Sequence, residues 1–467
     1  MRHVAVALTL LPLVLARPLG ARAAGELRLP PVERVTFENG LRVMVARSDE
    51  LPLVEISLLI GAGAAQDPAG QEGLASLTAD ALGRGAGDLD AMALARAVES
   101  LGATIDTSAG MDASALQAEF LAEDLERGLE LLRDVVRAPR FAKDEVRRAR
   151  DEQLAGLIAQ REDPSAIATQ CFASVLYGEH PYGRNPDGTS EAVGDLGHRD
   201  VRRYYDRWWR PNNAILTLVG DVDPAQAIVL LRRYFGDWEA RPDAVPARAA
   251  PPARGAGRRL VLVDKPDATQ TQIRFGGVAM ARNDPDLLAA NVGATILGGG
   301  FSSILIDELR VKRSLTYSAS SRYAASLVGG DFRVGTFTKT ETTVETLALA
   351  LDVVERFRTA PPDPAALAKV QAYLRGQFPL AVETADALAS RLTEIEFYGL
   401  PRDHLATFRG RVAAVTVAGA ARASAAHMTP AGAMTIVVLG RAADVRAPLE
   451  ERFGAVTVVD PEDCALR

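Results

Sequence analysis

Histidine and cysteine are scarce in this chain, which contains five histidines and two cysteines among 467 residues. No H-x-x-E-H or H-x-x-x-H pattern occurs, so no helical face presents the paired imidazoles that bind Zn²⁺. Two cysteines cannot form a disulfide framework, and a chain of this length buries enough apolar surface without one. We interpret Cys171, which lies in a helical pattern, as a small apolar packing residue. Cys464 lies in the C-terminal tail, and a bridge between the two is the less favoured alternative.

Beyond its first residues the chain has no run of 18 apolar residues, roughly the length that a membrane-spanning helix requires. The start itself has a short basic end, an apolar stretch over 4–16 and a small-x-small triplet at 21–23. These features predict a cleaved signal peptide over residues 1–23, and therefore a periplasmic or otherwise exported protein. A membrane anchor is the alternative, but Pro12 and Arg17 interrupt the apolar stretch.

An excess of positive charge is also absent. The formal net charge is −7, and loss of the three arginines in the predicted signal peptide takes it to −10. This balance argues against nucleic acid and against an anionic membrane surface as the main partner. The hydrophobic content of 48% and the charged content of 24% are typical of globular proteins.

What is present is one order of strand and helix patterns that occurs twice. The first half begins with alternating strands around Asn39-Gly40, which is typical of a two-residue hairpin turn. A helix over 73–82, two further strands, two long helices, a buried strand over 214–220 and a final helix over 224–235 follow. The second half repeats this order over 259–440. The repetition predicts an α+β fold with two homologous domains, each combining a mixed sheet with helices, in a clam-shell arrangement.

We divide the chain into four segments on this basis. Residues 241–257 contain Pro, Ala, Arg and Gly with almost no large apolar residue, a composition typical of a linker. The signal peptide over 1–23 precedes a first domain over 26–240, and the second domain covers 258–460.

The most distinctive stretch of the second half is 297–317, in which Gly298, Gly299 and Gly300 precede Phe301. Apolar residues at helical spacing follow, so the glycines are predicted to lead into a helix with free N–H groups at its start. Glycine lets a backbone approach another chain closely, because it has no Cβ. We interpret the stretch as one that holds a peptide by its backbone.

With these features the sequence resembles the pitrilysin/insulinase family of metallopeptidases, the inverted zincins, in its bacterial two-domain form. In the first half the resemblance is carried by Leu41-Arg-Val, Gly73-Leu-Ala, His180-Pro-Tyr-Gly-Arg184, Pro211-Asn-Asn213 and Leu218-Val-Gly-Asp221. In the second half it is carried by Leu297-Gly-Gly-Gly-Phe-Ser-Ser303, Leu309-Arg310 and Tyr317-Ser318. The order and spacing of these motifs make the resemblance specific, and it covers nearly all of the chain after the signal peptide.

The resemblance implies a zinc site in the first half, and this sequence departs from the family there. The family binds Zn²⁺ through H-x-x-E-H on a helix and a glutamate about 75 residues on, with the first glutamate as general base. The matching positions are Ser76, Ala79, Asp80 and, downstream, Gly156, with Glu152 one turn away. We therefore expect no metal or other cofactor in this chain and no peptidase activity of the chain alone.

The resemblance also implies a substrate-binding pair in the second half. Family members use an arginine and a tyrosine seven residues apart to bind the substrate near the scissile bond, and Arg310 and Tyr317 match that spacing. The residue before the tyrosine is commonly glycine in the family and is Thr316 here. The predicted substrate-binding residues are this pair and the segment 298–301. An arginine can hold a substrate carbonyl, and a tyrosine can donate to a developing oxyanion.

The family includes heterodimers in which one subunit carries zinc and the other carries the glycine-rich loop and the Arg/Tyr pair. We therefore expect a non-catalytic, substrate-binding subunit that completes the site of a homologous zinc-bearing partner for the hydrolysis of unfolded peptides. Zinc is expected in that partner. The alternative is an inactive scaffold or peptide-binding protein with no role in hydrolysis. A third and least favoured hypothesis is an independent hydrolase with a new metal site.

Structural roles are the alternative for each candidate residue. Arg310 is then a solvated charge at a helix end, and Tyr317 a strand residue that packs its ring. We interpret His180 as a turn residue, and Trp208 and Trp209 as packing residues rather than a binding platform.

Overall fold

The computed structural model describes residues 29–465, so the predicted signal peptide lies outside the described residues. The strands of the first half are β1 (Val32–Thr36), β2 (Arg42–Arg47), β3 (Leu53–Ile60), β4 (Thr104–Ala109), β5 (Ser114–Leu121) and β6 (Ala214–Gly220). Its helices are α1 (Leu74–Leu82), α2 (Ala91–Glu99), α3 (Leu125–Arg137), α4 (Lys143–Glu162), α5 (Pro164–Tyr177), α6 (Ser190–Asp195), α7 (His198–Trp208) and α8 (Pro224–Phe235).

The second half repeats this order. Its strands are β7 (Arg259–Asp264), β8 (Thr271–Ala279), β9 (Ala319–Ala325), β10 (Gly330–Thr338), β11 (Thr435–Gly440) and β12 (Thr457–Val459). Its helices are α9 (Leu287–Gly298), α10 (Ile304–Ile306), α11 (Thr343–Thr359), α12 (Pro364–Gln377), α13 (Ala385–Tyr398), α14 (His404–Ala414), α15 (Val417–His427), α16 (Ala442–Phe453) and α17 (Pro461–Ala465). The predicted α+β fold of two similar units in a clam-shell arrangement is confirmed.

Each half is built on one six-stranded mixed sheet. The strand orders are β1-β2-β6-β3-β5-β4 and β12-β7-β11-β8-β10-β9, so β4 and β9 are corresponding edge strands. The first hairpin differs from the prediction in one detail. Phe37 N donates to Leu41 O at 2.9 Å, so the loop around Asn39-Gly40 has three residues rather than two. Gly40 has a φ of +87° there, a conformation that glycine adopts without strain.

The middle of each sheet is buried on both faces. In the first sheet, Val43 and Leu216 pack in the core of their own half. The neighbouring residues Met44 and Ile215 point to the other face, where they pack with Leu392 of α13 from the second half. Because successive strand residues alternate between faces, burial of both faces requires the continuous apolar runs seen in β2 and β6.

The second sheet receives a helix from the first half in return. Ile167 and Phe172 of α5 pack with Val261, Val278 and Val437 of β7, β8 and β11. Each half therefore supplies one helix to the sheet of the other. This exchange was not predicted from the sequence.

Polar contacts accompany both exchanged helices. Arg274 of β8 donates to Ser165 Oγ at 2.7 Å and to Thr169 Oγ1 at 3.2 Å, and both acceptors lie on α5. Thr393 of α13 donates to Thr217 Oγ1 of β6 at 2.7 Å. These hydrogen bonds satisfy buried polar groups at the two junctions, so the helices sit on the sheets in one register.

The state of Cys171 differs from the expectation that a disulfide is the less favoured alternative. It lies on α5 and is fully buried, as predicted, but it is disulfide-bonded. The short helix α17 packs against α5 and brings the C-terminal segment to this region. Sequence separation therefore gave the wrong expectation, because the fold returns the tail to the middle of the chain.

The predicted packing roles of the tryptophans are confirmed. Trp209 is fully buried and Trp208 is half-buried against the core of the first half. Among the described residues, no helix is both long and apolar enough to cross a membrane.

The exchanged helices leave the outer strands of each sheet uncovered on the same face. Along β5, Gln117 and Glu119 are half-buried, whereas Leu116 and Ala118 on the other face are buried. In the second sheet, Arg322 of the edge strand β9, which corresponds to β4, is exposed. A ligand can therefore reach each sheet at its β4–β5 or β9–β10 end.

The exchanged helix α5 yields a stability prediction. Replacing the fully buried Phe172 by alanine leaves a cavity between α5 and the second sheet, and we expect the free energy of unfolding to fall by about 3–5 kcal/mol. The matched control, Ile158→Ala, removes an apolar side chain that is 59% exposed on α4, and it should change stability by less than about 0.5 kcal/mol. Chemical denaturation of the three proteins checks this, and equal midpoints would show that α5 does not hold the halves together.

Candidate functional site

The glycines end one helix and lead into the next, and only the second of these relations was predicted from the sequence. Gly298 is the last residue of α9, and Gly299 caps its C-terminus. A Cβ on Gly298 would lie 2.4 Å from the backbone nitrogen of Ser321 in β9, so only glycine allows α9 to approach this strand. The helix predicted after the glycines begins at Ile304 as α10 and continues through a π-helical turn to Val311.

Gly300 and Phe301 form the exposed tip of this glycine segment, residues 298–301. A Cβ on Gly300 would meet nothing within 4 Å, and Phe301 is 85% exposed. The tip separates a cavity of about 790 Å³ along β9 from one of about 400 Å³ beside α12. We call the larger one the β9 cavity. It lies between the glycine segment, β9 and α5, and is therefore shared by the two halves.

Arg310 and Tyr317 form a contacting pair. A π-helical turn, Asp307–Val311, continues α10 and carries Arg310 near its end. The guanidinium carbon lies 4.4 Å from the centroid of the Tyr317 ring, which is a cation–π contact. Tyr317 is 68% exposed, and within residues 29–465 neither its hydroxyl nor the Arg310 guanidinium has a hydrogen-bond partner. Both polar groups are therefore free to bind a ligand.

Thr316 fixes the backbone on which Tyr317 stands. Its hydroxyl donates to Ser318 O at 2.9 Å and accepts from Ser318 N at 3.1 Å. Thr336 Oγ1 of β10 lies 3.1 Å from Thr316 Oγ1 and donates to it. A threonine at this position therefore ties the turn to the sheet, so it is compatible with the Arg310–Tyr317 contact.

The edge strand β9 brings these features together. Among the described residues it pairs with β10 alone, so its outer edge carries unpaired N–H and C=O groups. Ser318, Ser320 and Arg322 line the β9 cavity, and Tyr317 directly precedes the first of them. An exposed edge of this kind can accept an extended peptide as an additional strand.

The positions that correspond to a zinc site lie on α1 and α4 and carry no zinc ligands. Ser76 is buried, and its hydroxyl donates to Pro186 O at 3.1 Å. Ala79 O accepts from Thr107 Oγ1 of β4 at 2.7 Å. Gly156 has no side chain that could bind a metal, and a Cβ built on it would meet nothing within 4 Å. Ser76 and Ala79 therefore serve the packing of α1.

Two carboxylates remain near this position, and Arg84 occupies the space beside them. Arg84 Nη2 donates to Glu152 Oε2 at 2.5 Å, and Arg84 Nε donates to Asp80 O at 3.2 Å. No histidine is present, and a guanidinium would repel a cation. The residues do not fit Zn²⁺, which requires several nitrogen, sulfur or carboxylate ligands in a tetrahedral arrangement. The chain's own residues therefore support no metal-dependent step here.

Within residues 29–465 one cluster of metal-type side chains does occur elsewhere, formed by Asp284, Asp286 and His427. Arg422 donates to both carboxylate oxygens of Asp286 at 2.9 Å, and His427 Nε2 lies 3.3 Å from the same carboxylate. The hydrogen bonds from Arg422 lower the pKa of Asp286. We interpret the cluster as an ion-pair network that joins α15 to the start of α9.

His180 has the structural role predicted for it. Its Nδ1 accepts from Tyr182 N at 3.1 Å, so Nε2 carries the proton and donates to Ala250 O at 2.9 Å. Tyr182 Oη donates to Asp112 Oδ1 at 2.7 Å, and Asp112 Oδ2 accepts from Leu327 N at 2.9 Å. This chain of hydrogen bonds holds the β9–β10 hairpin to the first half.

An acidic strip on the first sheet was missed by the sequence analysis. Glu55 of β3 and Glu119 of β5 are directly opposite each other, and Asp106 of β4 lies on the same face one row along. Burial, a hydrogen bond with Glu119 and the charges of Glu119 and Asp386 together raise the pKa of Glu55 to about 8. At neutral pH the Glu55–Glu119 pair therefore shares a proton.

Comparison with known proteins agrees with this architecture. The family model described as "Insulinase (Peptidase family M16)" matches residues 42–189, and the one described as "Peptidase M16 inactive domain" matches residues 195–374. Among solved structures, a peptidase M16 inactive domain from Pseudomonas fluorescens superposes with a TM-score of 0.83 at 27% identity. The match covers 88% of this chain and 98% of that chain.

Relatives named as peptidases and as non-peptidases are both similar to the chain. An uncharacterized zinc protease of Mycobacterium bovis is 28% identical over 390 residues, covering 82% of this chain and 88% of the relative. The non-peptidase homolog YmxG of Helicobacter pylori is 25% identical over 353 residues, covering 75% and 81%. Similarity at this level establishes the shared architecture and leaves the activity to be argued from the site.

The Glu55–Glu119 pair predicts a pH dependence of stability. The pKa of Glu55 rises from an ordinary value of 4.5 to about 8 on folding, so the folded state binds more protons between these values. The free energy of unfolding should therefore fall as pH rises from 4.5 to 8. At pH 8.5, Glu55→Gln should unfold at a higher temperature than the unmodified chain. Its unfolding temperature should also change much less between pH 5 and pH 8.5 than that of the unmodified chain.

Differential scanning calorimetry at both pH values checks this prediction. Glu123→Gln is the matched control, because Glu123 is exposed at the start of the α3 region. A pH profile of Glu55→Gln that superposes on those of the unmodified chain and the control would contradict the shared proton.

Proposed function

Because the chain belongs to peptidase family M16, the insulinase family, we propose that it is the non-catalytic, substrate-binding subunit of a heterodimeric zinc peptidase. The observation that carries the proposal is a free Arg310–Tyr317 pair in a chain whose first half has no zinc ligands. A homologous partner with an intact H-x-x-E-H motif would supply the zinc. The substrates would be unfolded peptides, which can adopt the extended conformation that an edge strand accepts.

The pair has the chemistry to assist peptide hydrolysis in a shared site. The Arg310 guanidinium can donate charge-assisted hydrogen bonds to a substrate carbonyl and so position it. The Tyr317 hydroxyl can donate to the oxyanion that develops in the transition state. Contact with the tyrosine ring restricts the arginine to one orientation, which lowers the entropic cost of binding.

The edge of β9 supports the same role. A peptide that pairs with β9 would run past Ser318 and Ser320 into the β9 cavity, with the glycine segment on its other side. Backbone hydrogen bonds with an edge strand are independent of side-chain identity, which suits varied peptide substrates. We propose export to the periplasm on the basis of residues 1–23, where unfolded peptides from other exported proteins would be available.

Reconstitution with a zinc-bearing homologue from the same organism tests the proposal. A fluorogenic unfolded peptide is supplied to the chain without residues 1–23, to the homologue and to the mixture, and zinc is assayed in each protein. We expect efficient cleavage only in the mixture and zinc only in the homologue. If the mixture cleaves the peptide no faster than the homologue alone, the scaffold alternative is favoured.

The role of the pair is tested by substitution in the same mixture. Arg310→Ala and Tyr317→Phe should each lower the stimulated kcat/KM by about 100-fold, as expected for loss of one transition-state donor. Arg313→Ala is the matched control, since this exposed arginine lies three residues further along and forms only a 3.8 Å ion pair with Glu345. An unchanged rate with Arg310→Ala would contradict the shared site.

A further inference from the structure

Three arginines lie on one face of the second sheet and line the β9 cavity. Arg333 of β10 is directly opposite Arg322 of β9, and Arg274 of β8 is opposite Gly335, two residues along the same face of β10. Like charges at such neighbouring positions destabilise a sheet, because they repel each other across the strands. The arrangement therefore requires a compensating function or partner.

Arg274 lies at the back of the cavity, and its guanidinium forms hydrogen bonds within the chain. It donates to Ser165 and Thr169 of α5 and to Thr336 O at 3.2 Å. Burial, followed by the charge of Arg333, lowers its pKa to about 10. Arg274 is therefore committed to holding α5 on the sheet, and its hydrogen-bonding capacity is used within the chain.

Unlike Arg274, Arg322 and Arg333 form no hydrogen bonds with other residues of the described chain. Within the part of the chain that the structure describes, Arg322 has no hydrogen bond and no ion pair. Arg333 is 11% exposed and has no hydrogen bond; its Nε lies 3.7 Å from Asp331 Oδ1, and its guanidinium stacks 5.6 Å from the Phe172 ring centroid. Both guanidinium groups line the β9 cavity, so N–H groups without a partner in the chain are available to an acceptor that enters it.

The local charge is not balanced within the chain. Asp331 lies beside Arg333, and its charge also acts on Arg322, whereas the charge of Asp163 acts on Arg274. The other oxygen of Asp331 accepts from Tyr177 Oη at 3.1 Å. Three positive groups thus face two carboxylates at a cavity of about 790 Å³. An anionic ligand would relieve the repulsion and supply the missing acceptors.

We propose that the β9 cavity is a carboxylate-binding subsite, in which Arg322 and Arg333 grip a carboxylate of the bound peptide. The proposal rests on the proposed role of the chain in holding peptides. A peptide carboxylate is the anion that fits, because the cavity adjoins the β9 edge, and a planar carboxylate matches the guanidinium fork. The carboxylate belongs to an aspartate or glutamate side chain or to the peptide's C-terminus.

The first sheet makes the subsite selective. At the pseudo-equivalent strand end it presents the acidic groups Asp106 and Glu119 instead of arginines, while Glu55 of the same strip is buried. An acidic group is repelled there and attracted to the β9 cavity. The two sheets would therefore discriminate between the acidic and basic groups of one peptide and set its direction in the cleft.

Equilibrium binding to the chain without residues 1–23, in the absence of any partner, tests the subsite. Three fluorescent peptides share one unfolded sequence: one has a glutamate and an amidated C-terminus, one has glutamine and a free C-terminus, and one has glutamine and an amidated C-terminus. We expect a peptide with a carboxylate to bind at least about 10-fold tighter than the uncharged one. Tighter binding of the first peptide would identify a side-chain carboxylate as the ligand, and tighter binding of the second would identify the C-terminal carboxylate.

Arg322→Gln and Arg333→Gln should each abolish this preference, so that the three peptides bind each variant with the same affinity. Arg322 is exposed, so its replacement does not endanger folding. Arg313→Gln, outside the cavity, should keep the full preference. Equal affinities for the three peptides, binding of none of them, or a preference that survives both substitutions would overturn the proposal. Retained preference without stimulated cleavage would contradict only the proposed role in hydrolysis.

Discussion

The exchange of α5 and α13 between the two sheets is the constraint on which the rest of the structure depends. Separation of the halves would expose the apolar faces of β6 and β11, which are fully buried strands. The exchanged helices thus make two duplicated units into one packed body and fix their relative position. The interface is mainly apolar, and the hydrogen bonds from Arg274 to α5 and from Thr393 to β6 fix the position of each helix on its sheet.

The same exchange determines where a ligand can bind. Each exchanged helix covers the middle of a sheet and stops short of its β4–β5 or β9–β10 end. Duplication therefore produced two open strand ends with equivalent geometry, and the sequence has given them opposite charge. One has Asp106 and Glu119, and the other has Arg322 and Arg333 beside the glycine segment. In the first half, Ser76 and Ala79 at the positions that correspond to a zinc site make packing contacts of α1.

Local patterns predicted elements whose signals lie within a few residues. The strand Ala214–Gly220 and the helix Pro224–Phe235 were predicted to the residue, since an apolar run and a proline after Asp223 define them. The helix after the glycine segment was predicted, but the role of Gly298 at the end of α9 was not, because it depends on contact with a strand more than 20 residues away. The acidic strip and the arginine cluster were missed for the same reason. Alternation places such residues on a face, but only strand register brings them opposite each other.

Amide hydrogen exchange of the purified chain, without its partner and with or without a saturating unfolded peptide, tests the central claim that β9 holds the substrate. The account predicts slower exchange in β9 and in the glycine segment, because an added peptide strand would bond the outward N–H groups of the edge. Unchanged exchange in β9, with protection at β4 or at no strand edge, would contradict it.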